Sequence, residues 1–379
     1  MRILVLGWYY SSNMGDAVLC DCVAGLLRQQ YPRAEVVIRD LAGRTGFPAR
    51  KAVDCRDLDR LRQRQKLRFF ATKLGWDKQL SHETWCLEQV RSRLPSVTEG
   101  DWDLAVFAGG QLFMDDLCLY VAEAAAALDQ KGVPILYNAC GAGPSASPAL
   151  RQTLAQALTL PSVKLVSCRD SADRINALCG RDLAVTTGDA ALLTGKIYGL
   201  DRQPSGTVGL GVLYPQSLSP KRTAAFWRSM IRELDSRGIP WKFFTNGSEW
   251  DMAFARTLLD GRPEETYLAP APESPRELAC LLGSFRSLIS FRLHSHIIAA
   301  SMGLPTVALV WDNKVRQFFQ NLGCPERCMT IDAAPARVLD ALLRAEQEGL
   351  SASAVAQLQA SASETLLDAA HRSLQEKRR

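Results

Sequence analysis

Short apolar runs alternate with amphipathic stretches along most of this 379-residue chain. Runs such as Arg2–Leu6 and Asp103–Phe107 have the length and composition of buried strands. Between them, stretches such as Asp16–Gln30 and Leu117–Gln130 repeat apolar residues at helical spacing. Strands separated by helical patterns of about ten to fifteen residues predict an α/β fold with doubly wound parallel sheets.

A polar linker at residues 204–206 interrupts this alternation, and a second strand–helix series follows it. The chain is also long for a single ordinary domain. We therefore predict two Rossmann-like domains facing each other across a cleft, the N-terminal one at 1–200 and the C-terminal one at 205–345. Residues 346–379 are predicted to form a helical tail. Clefts between domains are preferred locations for ligands.

The junction after the predicted strand Ser287–Phe291 carries the densest set of chemically active side chains. Arg292, His294 and Ser295 follow that strand and lead into a short apolar helix. Helix starts expose unpaired N–H groups and the positive end of the helix dipole. Lys314, after the next strand, would reach the same sheet edge, where open α/β sheets bind ligands. This junction therefore predicts a phosphate or carboxylate site.

Several of these cations have a structural alternative. Arg292 either binds the anion or forms an ion pair within the fold. His296 is interpreted as a packed core residue, because two helical positions separate it from His294 and turn the side chains about 200° apart. Arg169, at another strand end, either pairs with Asp170 or acts as a second clamp on the anion.

The loop after the first strand is the second candidate region. Asn13 and Gly15 permit a tight turn, and Asp16 either caps the following helix or takes part in chemistry. Tyr9 lies in an aromatic triplet at residues 8–10, which would suit stacking on a sugar ring or packing in the core.

Glycine pairs and a further aspartate mark other strand ends. Gly109 and Gly110 follow an apolar strand and would let a ligand approach the backbone closely. They do not complete a GxGxxG fingerprint, and the chain has no Walker P-loop pattern, so neither a nicotinamide nor an ATP cofactor is indicated. Asp189 follows a short strand and is a candidate proton acceptor.

Composition narrows the class of protein. Apolar residues make up 47% and charged residues 22%, as in a soluble globular protein, and the net charge of +5 suits an anionic ligand without indicating nucleic acid. No secretory signal and no run of about 18 apolar residues is present, so we expect a cytoplasmic protein. Eleven scattered cysteines lack zinc-site spacing, and we expect reduced thiols and no metal.

One segment departs from the alternation. Between Arg44 and Lys73 the chain has ten Lys or Arg residues and three acidic ones, with apolar residues interleaved. This excursion is either a solvated helix packed on one side, or a basic arm that contacts an anionic acceptor or the inner face of the membrane.

Together these motifs resemble the bacterial polysaccharide pyruvyl transferases, and they span most of the chain in the family's order. The residues that carry the resemblance are Asn13-x-Gly15-Asp16, Gly109-Gly110, Gly143-Pro144, Ser167-Cys168-Arg169-Asp170, Gly188-Asp189, Arg292-Leu293-His294-Ser295, Gly303-x-Pro305 and Asp312-x-Lys314. Three features depart from the family pattern: Ala108 stands where a third glycine is common, His296 replaces an apolar residue, and the basic excursion has no counterpart.

The resemblance implies a GT-B-like fold and transfer of pyruvate from phosphoenolpyruvate onto two hydroxyls of a sugar, which gives a cyclic ketal and phosphate. It implies that His294, Lys314 and Arg169 hold phosphoenolpyruvate, the donor substrate. Arg292 and Ser295, at the same junction, are expected to add contacts to its phosphate and carboxylate, and no cofactor is expected.

His294 would act as the acid, and Asp16 or Asp189 would accept a hydroxyl proton. An acceptor sugar, oligosaccharide or lipid-linked glycan would lie against Tyr9, Asn13, Gly15 and the glycine pair. The alternative is a nucleotide-sugar glycosyltransferase of GT-B type, although Lys314 stands where those enzymes usually place a ribose-binding glutamate.

Overall fold

Six of the first eight strands follow the predicted alternation, whereas Gly110–Phe113 and Cys140–Ala142 each come directly after another strand without a helix between them. The computed structural model describes residues 1–49, 53, 54, 57, 60, 79–143, 147–214 and 218–377. Its strands in this part of the chain are β1 (Arg2–Gly7), β2 (Glu35–Asp40), β3 (Leu104–Phe107), β4 (Gly110–Phe113), β5 (Ile135–Tyr137), β6 (Cys140–Ala142), β7 (Val163–Cys168) and β8 (Ala184–Thr186). Six of them form one sheet in the order β2-β1-β3-β5-β7-β8, and β4 pairs with β6 separately. β1 lies parallel to β2 and β3, and β5 lies parallel to β3 and β7.

Helices connect these strands, and capping residues mark where some of them begin or end. The helices are α1 (Met14–Gln30), α2 (Gln79–Thr98), α3 (Asp115–Gln130), α4 (Pro148–Leu158) and α5 (Ala172–Cys179). Ser147 caps α4 by accepting the Leu150 N–H at 3.3 Å. Gly180 ends α5 with a left-handed φ of 66°, which glycine adopts without steric cost.

A second parallel sheet follows in the chain. Its strands are β9 (Val208–Gly211), β10 (Trp241–Phe244), β11 (Ser287–Ser290), β12 (Thr306–Leu309) and β13 (Cys328–Met329), in the order β10-β9-β11-β12-β13. Every neighbouring pair in this sheet is parallel. β9, β11 and β12 are buried along their whole length, as expected for the inner strands of a parallel sheet.

The helices of this second series complete the described fold. They are a 3₁₀ helix (Ala190–Leu193), α6 (Thr194–Tyr198), α7 (Pro220–Ser236), α8 (Glu249–Leu258), α9 (Glu264–Tyr267), α10 (Pro275–Gly283), α11 (Leu293–Ser301), α12 (Asn313–Asn321), a second 3₁₀ helix (Pro325–Arg327), α13 (Pro335–Glu348) and α14 (Ala352–Glu376). The predicted α/β class with parallel sheets is confirmed.

The described residues divide into two compact units that the chain enters more than once. The first unit comprises Met1–Tyr10, Arg33–Val185 and Ala369–Arg379, and the second comprises Ser11–Pro32 and Thr186–Asp368. The predicted linear division at 1–200, 205–345 and 346–379 differs from these units at both ends of the chain, and the main boundary lies at residues 185–186 rather than near residue 200. The helical tail is shared, since most of α14 belongs to the second unit and its last residues to the first.

α1 is the segment whose placement matters most for function, because it packs within the second unit although it follows β1 directly. A Cβ on Gly25 would lie 2.6 Å from an Ile197 side-chain carbon, so α1 approaches α6 closely. The Tyr198 hydroxyl donates to the Asp21 carboxylate at 2.6 Å. At its start, the Met14 N–H donates to the Asn246 carbonyl at 2.8 Å. Asn13, Gly15 and Asp16 therefore belong to the second unit, whereas the linear division placed them in the first.

The described residues include neither a cluster suited to a metal ion nor a helix suited to crossing a membrane. No group of three or more His, Cys, Asp or Glu side chains in this part of the chain could hold a metal ion. Among the described helices, none is both long enough and apolar enough to cross a bilayer. The basic excursion 44–73 lies largely outside the described residues, and so does Pro144.

Candidate active site

The candidate site lies in the second unit, where three parallel strands end at the same edge of the sheet. Asn246 follows β10, Arg292 and His294 follow β11, and Lys314 follows β12. The carboxyl ends of parallel strands form the usual ligand-binding edge of an open α/β sheet. The Trp311 indole N–H donates to the Phe291 carbonyl at 2.8 Å, which ties the ends of β11 and β12 together.

His294 lies in the first turn of α11 and faces a carboxylate from α1. Its Nδ1 is 3.7 Å from Oδ1 of Asp16, and the two side chains are 8% and 21% exposed. This separation is too long for a hydrogen bond but short enough for a strong electrostatic interaction in a partly buried site. The sequence predicted both residues as catalytic but assigned Asp16 to the opposite domain, whereas the structure brings them together within one unit.

Gly15 makes this approach of α1 to α11 sterically feasible. A Cβ built on Gly15 would lie 2.4 Å from Nδ1, 2.5 Å from Cβ and 2.6 Å from Cγ of His294. Carbon atoms in contact normally stand about 3.5–4.0 Å apart, so any side chain at this position would displace the histidine. Asn13, two residues earlier, donates from Nδ2 to Asp16 Oδ2 at 3.2 Å and so restrains the carboxylate.

Lys314 lies in the first turn of α12 and is held by two neighbours. Its ammonium is 3.3 Å from Oδ2 of Asp312 and 4.8 Å from the centre of the Trp311 ring. Asp312 also caps α12, because its Oδ1 accepts the Lys314 N–H at 3.1 Å. The lysine side chain is 13% exposed, so its charge is partly desolvated and directed by the fold. The sequence predicted Lys314 at the end of a strand, whereas in the structure it lies in the first turn of the helix that follows.

Arg292 takes the structural role that the sequence left open. Its Nε donates to Oδ2 of Asp251 at 3.0 Å, and Nη2 donates to the same oxygen. Asp251 is 1% exposed, and its other oxygen accepts the Tyr214 N–H at 2.7 Å. Burial raises the pKa of the Asp251 carboxyl, while the facing guanidinium opposes that shift. The pair anchors α8 to the end of β11, and phosphoenolpyruvate binding by Arg292 stays a prediction.

The two residues after His294 point to different partners. Ser295 donates from Oγ to Asn246 Oδ1 at 2.8 Å and is fully buried. His296 is also fully buried, as predicted for a core residue. Its Nε2 lies 3.0 Å from the Ser290 carbonyl and its Nδ1 lies 2.6 Å from the Thr306 hydroxyl. Because the carbonyl can only accept, Nε2 carries the proton. Burial lowers the pKa of His296 to about 4, so it is neutral at physiological pH.

Asp189 is in the second unit but has a clear local role. It is 4% exposed and accepts the Ala191 N–H at 2.9 Å, which caps the first 3₁₀ helix. That helix packs beside α1 and α11. Capping this helix neither supports nor excludes the predicted catalytic role of Asp189, which stays a prediction.

The remaining predicted residues lie in the first unit. Gly109 and Gly110 follow β3 with φ values of 101° and 81°, a conformation that favours glycine. Arg169 is 8% exposed, and its Nε lies 3.3 Å from Oδ2 of Asp170, so the predicted local ion pair is present. Gly141 lies against this pair, since a Cβ there would be 3.4 Å from the Arg169 Nε.

The aromatic triplet after β1 forms part of a partly exposed cluster in the first unit. The rings of Tyr9 and Tyr10 are 4.9 Å apart, and the Phe47 ring lies 5.9 Å from the first and 5.1 Å from the second. Trp8 is covered on one face by the Arg44 guanidinium at 4.2 Å. The four aromatic residues are partly exposed, and sugar binding by Tyr9 remains a prediction.

Sequence reasoning missed two residues of this site, Asn246 and Asp251. Both come from the region after β10, where no motif marks them. Their position could have suggested them, because Thr245-Asn246-Gly247 directly follows a buried parallel strand. The contacts that give them importance join residues more than forty positions apart in the chain.

Solved structures establish the fold. The Staphylococcus aureus MnaA–UDP co-structure is 12% identical, with 97% of this chain and 94% of that chain covered and a TM-score of 0.56. UDP-GlcNAc 2-epimerase from Neisseria meningitidis, bound to UDP-GlcNAc, is 10% identical over 98% and 100% of the chains, with a TM-score of 0.56. The Methanocaldococcus jannaschii UDP-GlcNAc 2-epimerase is 8% identical over 97% and 98%, with a TM-score of 0.54. The predicted GT-B-like fold is confirmed.

The sequence itself assigns the family. No curated protein matches this chain. The family described as polysaccharide pyruvyl transferase matches residues 13–313, from the loop before α1 to the first residue of α12, so Lys314 lies one position beyond it. Because the match spans well over half of the chain, the protein belongs to the polysaccharide pyruvyl transferase family.

Proposed function

We propose that the protein transfers the pyruvyl group of phosphoenolpyruvate onto two hydroxyls of a sugar in a polysaccharide or its precursor, forming a ketal and releasing phosphate. The observation that carries this proposal is the Asp16–His294 pair at the start of α11, at the sheet edge where Lys314 begins the next helix. The pair provides an acid and a base, and the two helix starts provide anion-binding groups.

The donor carries two anionic groups, and the second unit offers matching donors. Phosphoenolpyruvate has a phosphate and a carboxylate, which need several fixed hydrogen-bond donors and positive charges. The ammonium of Lys314, the imidazole of His294 and the positive end of the α11 helix dipole supply them. Arg292 adds positive charge through a guanidinium that Asp251 holds in place. Arg169 is kept as a donor-binding residue on the family resemblance.

The reaction can be written with these groups in balance. A proton is added to C3 of phosphoenolpyruvate, which becomes a methyl group and leaves an oxocarbenium-like centre at C2. One sugar hydroxyl adds to C2 and gives up its proton, for which Asp16 is the acceptor. The C2–O bond to phosphate then breaks as His294 donates to the bridging oxygen, and the second hydroxyl completes the ketal. The proton taken up by Asp16 replaces the one added to C3, and the second hydroxyl returns its proton to His294. The two hydroxyl protons therefore balance those that end on C3 and on phosphate, and no oxidant or reductant is needed.

The proposed chemistry is tested by following the fate of C2. Phosphoenolpyruvate labelled with ¹³C at C2 is incubated with methyl glycosides that offer a 4,6-diol, and phosphate release is measured alongside ¹³C NMR. We expect a new quaternary ketal carbon that grows in step with phosphate, and loss of both in His294→Ala. Phosphate release with free pyruvate as the only product would contradict ketal transfer.

The same experiment also tests the alternative function, nucleotide-sugar transfer. The solved structures named above contain UDP or UDP-GlcNAc, but at 8–12% identity their ligands carry no weight for this chain. Consumption of a UDP-sugar in place of phosphoenolpyruvate would establish the alternative. A lipid-linked acceptor and contact with the inner membrane are proposals that depend on segment 44–73, and vesicle flotation with and without that segment tests them.

A further inference from the structure

Asn246 bridges the two helix starts that carry the proposed catalytic pair. Its backbone carbonyl accepts the Met14 N–H at 2.8 Å, at the start of α1. Its side-chain Oδ1 accepts the Ser295 hydroxyl at 2.8 Å, in the first turn of α11. Asn246 is 1% exposed, so both contacts form inside the protein. One residue therefore touches the neighbours of both Asp16 and His294.

The backbone after Asn246 is shaped for this close approach. Gly247 has a φ of 106°, and a Cβ on it would lie 2.7 Å from the Ser12 carbonyl oxygen. Only glycine combines that conformation with that contact. The turn after β10 is therefore pressed against the loop that precedes α1, and the side chains of Asn13 and Asn246 begin from neighbouring backbone positions.

Two atoms of these side chains are left with hydrogen-bonding capacity. Within the described part of the chain, Nδ2 of Asn246 and Oδ1 of Asn13 are buried and make no hydrogen bond. One is a donor and the other an acceptor. Buried polar groups are almost always paired, and leaving them unpaired costs free energy. A single hydroxyl placed between the two atoms would satisfy both, because a hydroxyl accepts one hydrogen bond and donates another.

We propose that Asn13 and Asn246 form a binding site for one of the two acceptor hydroxyls, beside Asp16. The identity of the ligand rests on the proposed function. Asn13 connects this site to the base, since its Nδ2 donates to Asp16 Oδ2 at 3.2 Å. The asparagine pair holds one hydroxyl of the diol while Asp16 takes the proton of the other. Asn246 is thus a specificity-determining residue that the family resemblance does not supply.

The first test is a crystal structure of the ligand-free protein at a resolution that shows ordered water. We expect one water within hydrogen-bonding distance of both Asn246 Nδ2 and Asn13 Oδ1, occupying the position of the hydroxyl oxygen. A direct hydrogen bond between the two side chains, or the absence of a shared water, would overturn the proposal. This result does not depend on the acceptor or on phosphoenolpyruvate.

The second test uses Asn246→Asp, which keeps an oxygen for Ser295 but removes the N–H donor. With methyl β-D-galactopyranoside as the probe, we expect its KM to rise at least about 10-fold, the size of one lost hydrogen bond. The melting-temperature shift caused by phosphoenolpyruvate should stay as in the wild type. Asn246→Ala serves as a second variant if the aspartate does not fold. Lys242→Ala, on the strand that leads into this turn, is the control and should leave the KM unchanged, because its ammonium donates to the Glu265 carbonyl away from both asparagines.

The outcomes separate this site from the proposed function. An unchanged KM in a folded Asn246→Asp would overturn the hydroxyl site, and so would loss of the phosphoenolpyruvate shift, which would make Asn246 part of donor binding. Failure of the wild type to bind phosphoenolpyruvate would instead remove the proposed function. The crystal structure tests the hydroxyl site formed by Asn13 and Asn246 even if the wild type does not turn over this probe.

Discussion

Replacing Gly15 with alanine should disable donor binding while leaving the protein folded. The added Cβ would lie 2.4–2.6 Å from three atoms of His294, one of which is its own Cβ. Rotating the imidazole cannot relieve a clash with Cβ, so the start of α11 or of α1 must move. Contacts of ordinary length require a displacement of roughly 1 Å.

The expected losses of stability and of affinity for phosphoenolpyruvate follow from that displacement. Overpacking of this kind costs about 1–3 kcal/mol, and alanine regains up to about 1 kcal/mol of helix propensity over glycine. The net loss of stability is therefore at most about 3 kcal/mol, which a folded domain tolerates. A hydrogen bond from His294 to a charged phosphate is worth about 1.5–3 kcal/mol, so its loss raises the Kd of phosphoenolpyruvate about 10- to 100-fold.

Isothermal calorimetry with phosphoenolpyruvate measures this effect without any acceptor. Gly25→Ala is the matched control, because it introduces a clash of 2.6 Å on the same helix, against Ile197 rather than His294. We expect a comparable loss of stability in both variants and weakened binding only in Gly15→Ala. A folded Gly15→Ala with the wild-type Kd would refute the assignment of His294 to the donor site.

Three further predictions follow from buried and charged groups. The pKa of His296 falls from its ordinary 6.5 to about 4 on folding, so between these pH values the unfolded chain binds one proton more than the folded protein. The free energy of unfolding should therefore drop by about 3 kcal/mol from neutral pH to about pH 4. Chemical denaturation of His296→Gln should show a smaller drop over the same pH range. Arg292→Ala should cost about 3–5 kcal/mol in urea denaturation because Asp251 is left buried without its cation, and an unchanged midpoint would instead make Arg292 a ligand residue only. Asp16→Asn should lower kcat at least about 100-fold while phosphoenolpyruvate still binds, whereas Asp21→Asn on the same helix should keep its activity.

Local patterns in the sequence predicted most of the elements, because each depends on neighbouring residues. The strand Asp103–Phe107 was predicted within one residue of β3, and the helix Asp16–Gln30 was predicted with the last residue of α1 and two residues short of its start. The starts of the site helices were less accurate: α11 begins at Leu293, so His294 is helical rather than at a strand end. Polar residues that begin a helix weaken the apolar periodicity on which such a prediction depends.

The placement of α1 could not be predicted from local pattern. Its amphipathic sequence indicates a helix but does not say which sheet it covers. The deciding contacts are long-range: Asn246 at its start, and Ile197 and Tyr198 further along. For the same reason the sequence identified Asp16 and His294 separately as candidates and did not predict that they meet within one unit.

Calorimetric titration with phosphoenolpyruvate and with UDP-GlcNAc tests the central claim most directly. The comparison uses the wild type, Lys314→Ala and a control in the same unit, Lys242→Ala, whose ammonium donates to the Glu265 carbonyl at 3.2 Å. We predict that phosphoenolpyruvate binds, that only Lys314→Ala weakens it, by about 10-fold or more, and that UDP-GlcNAc does not bind. Binding of UDP-GlcNAc without binding of phosphoenolpyruvate would contradict pyruvyl transfer and favour sugar transfer.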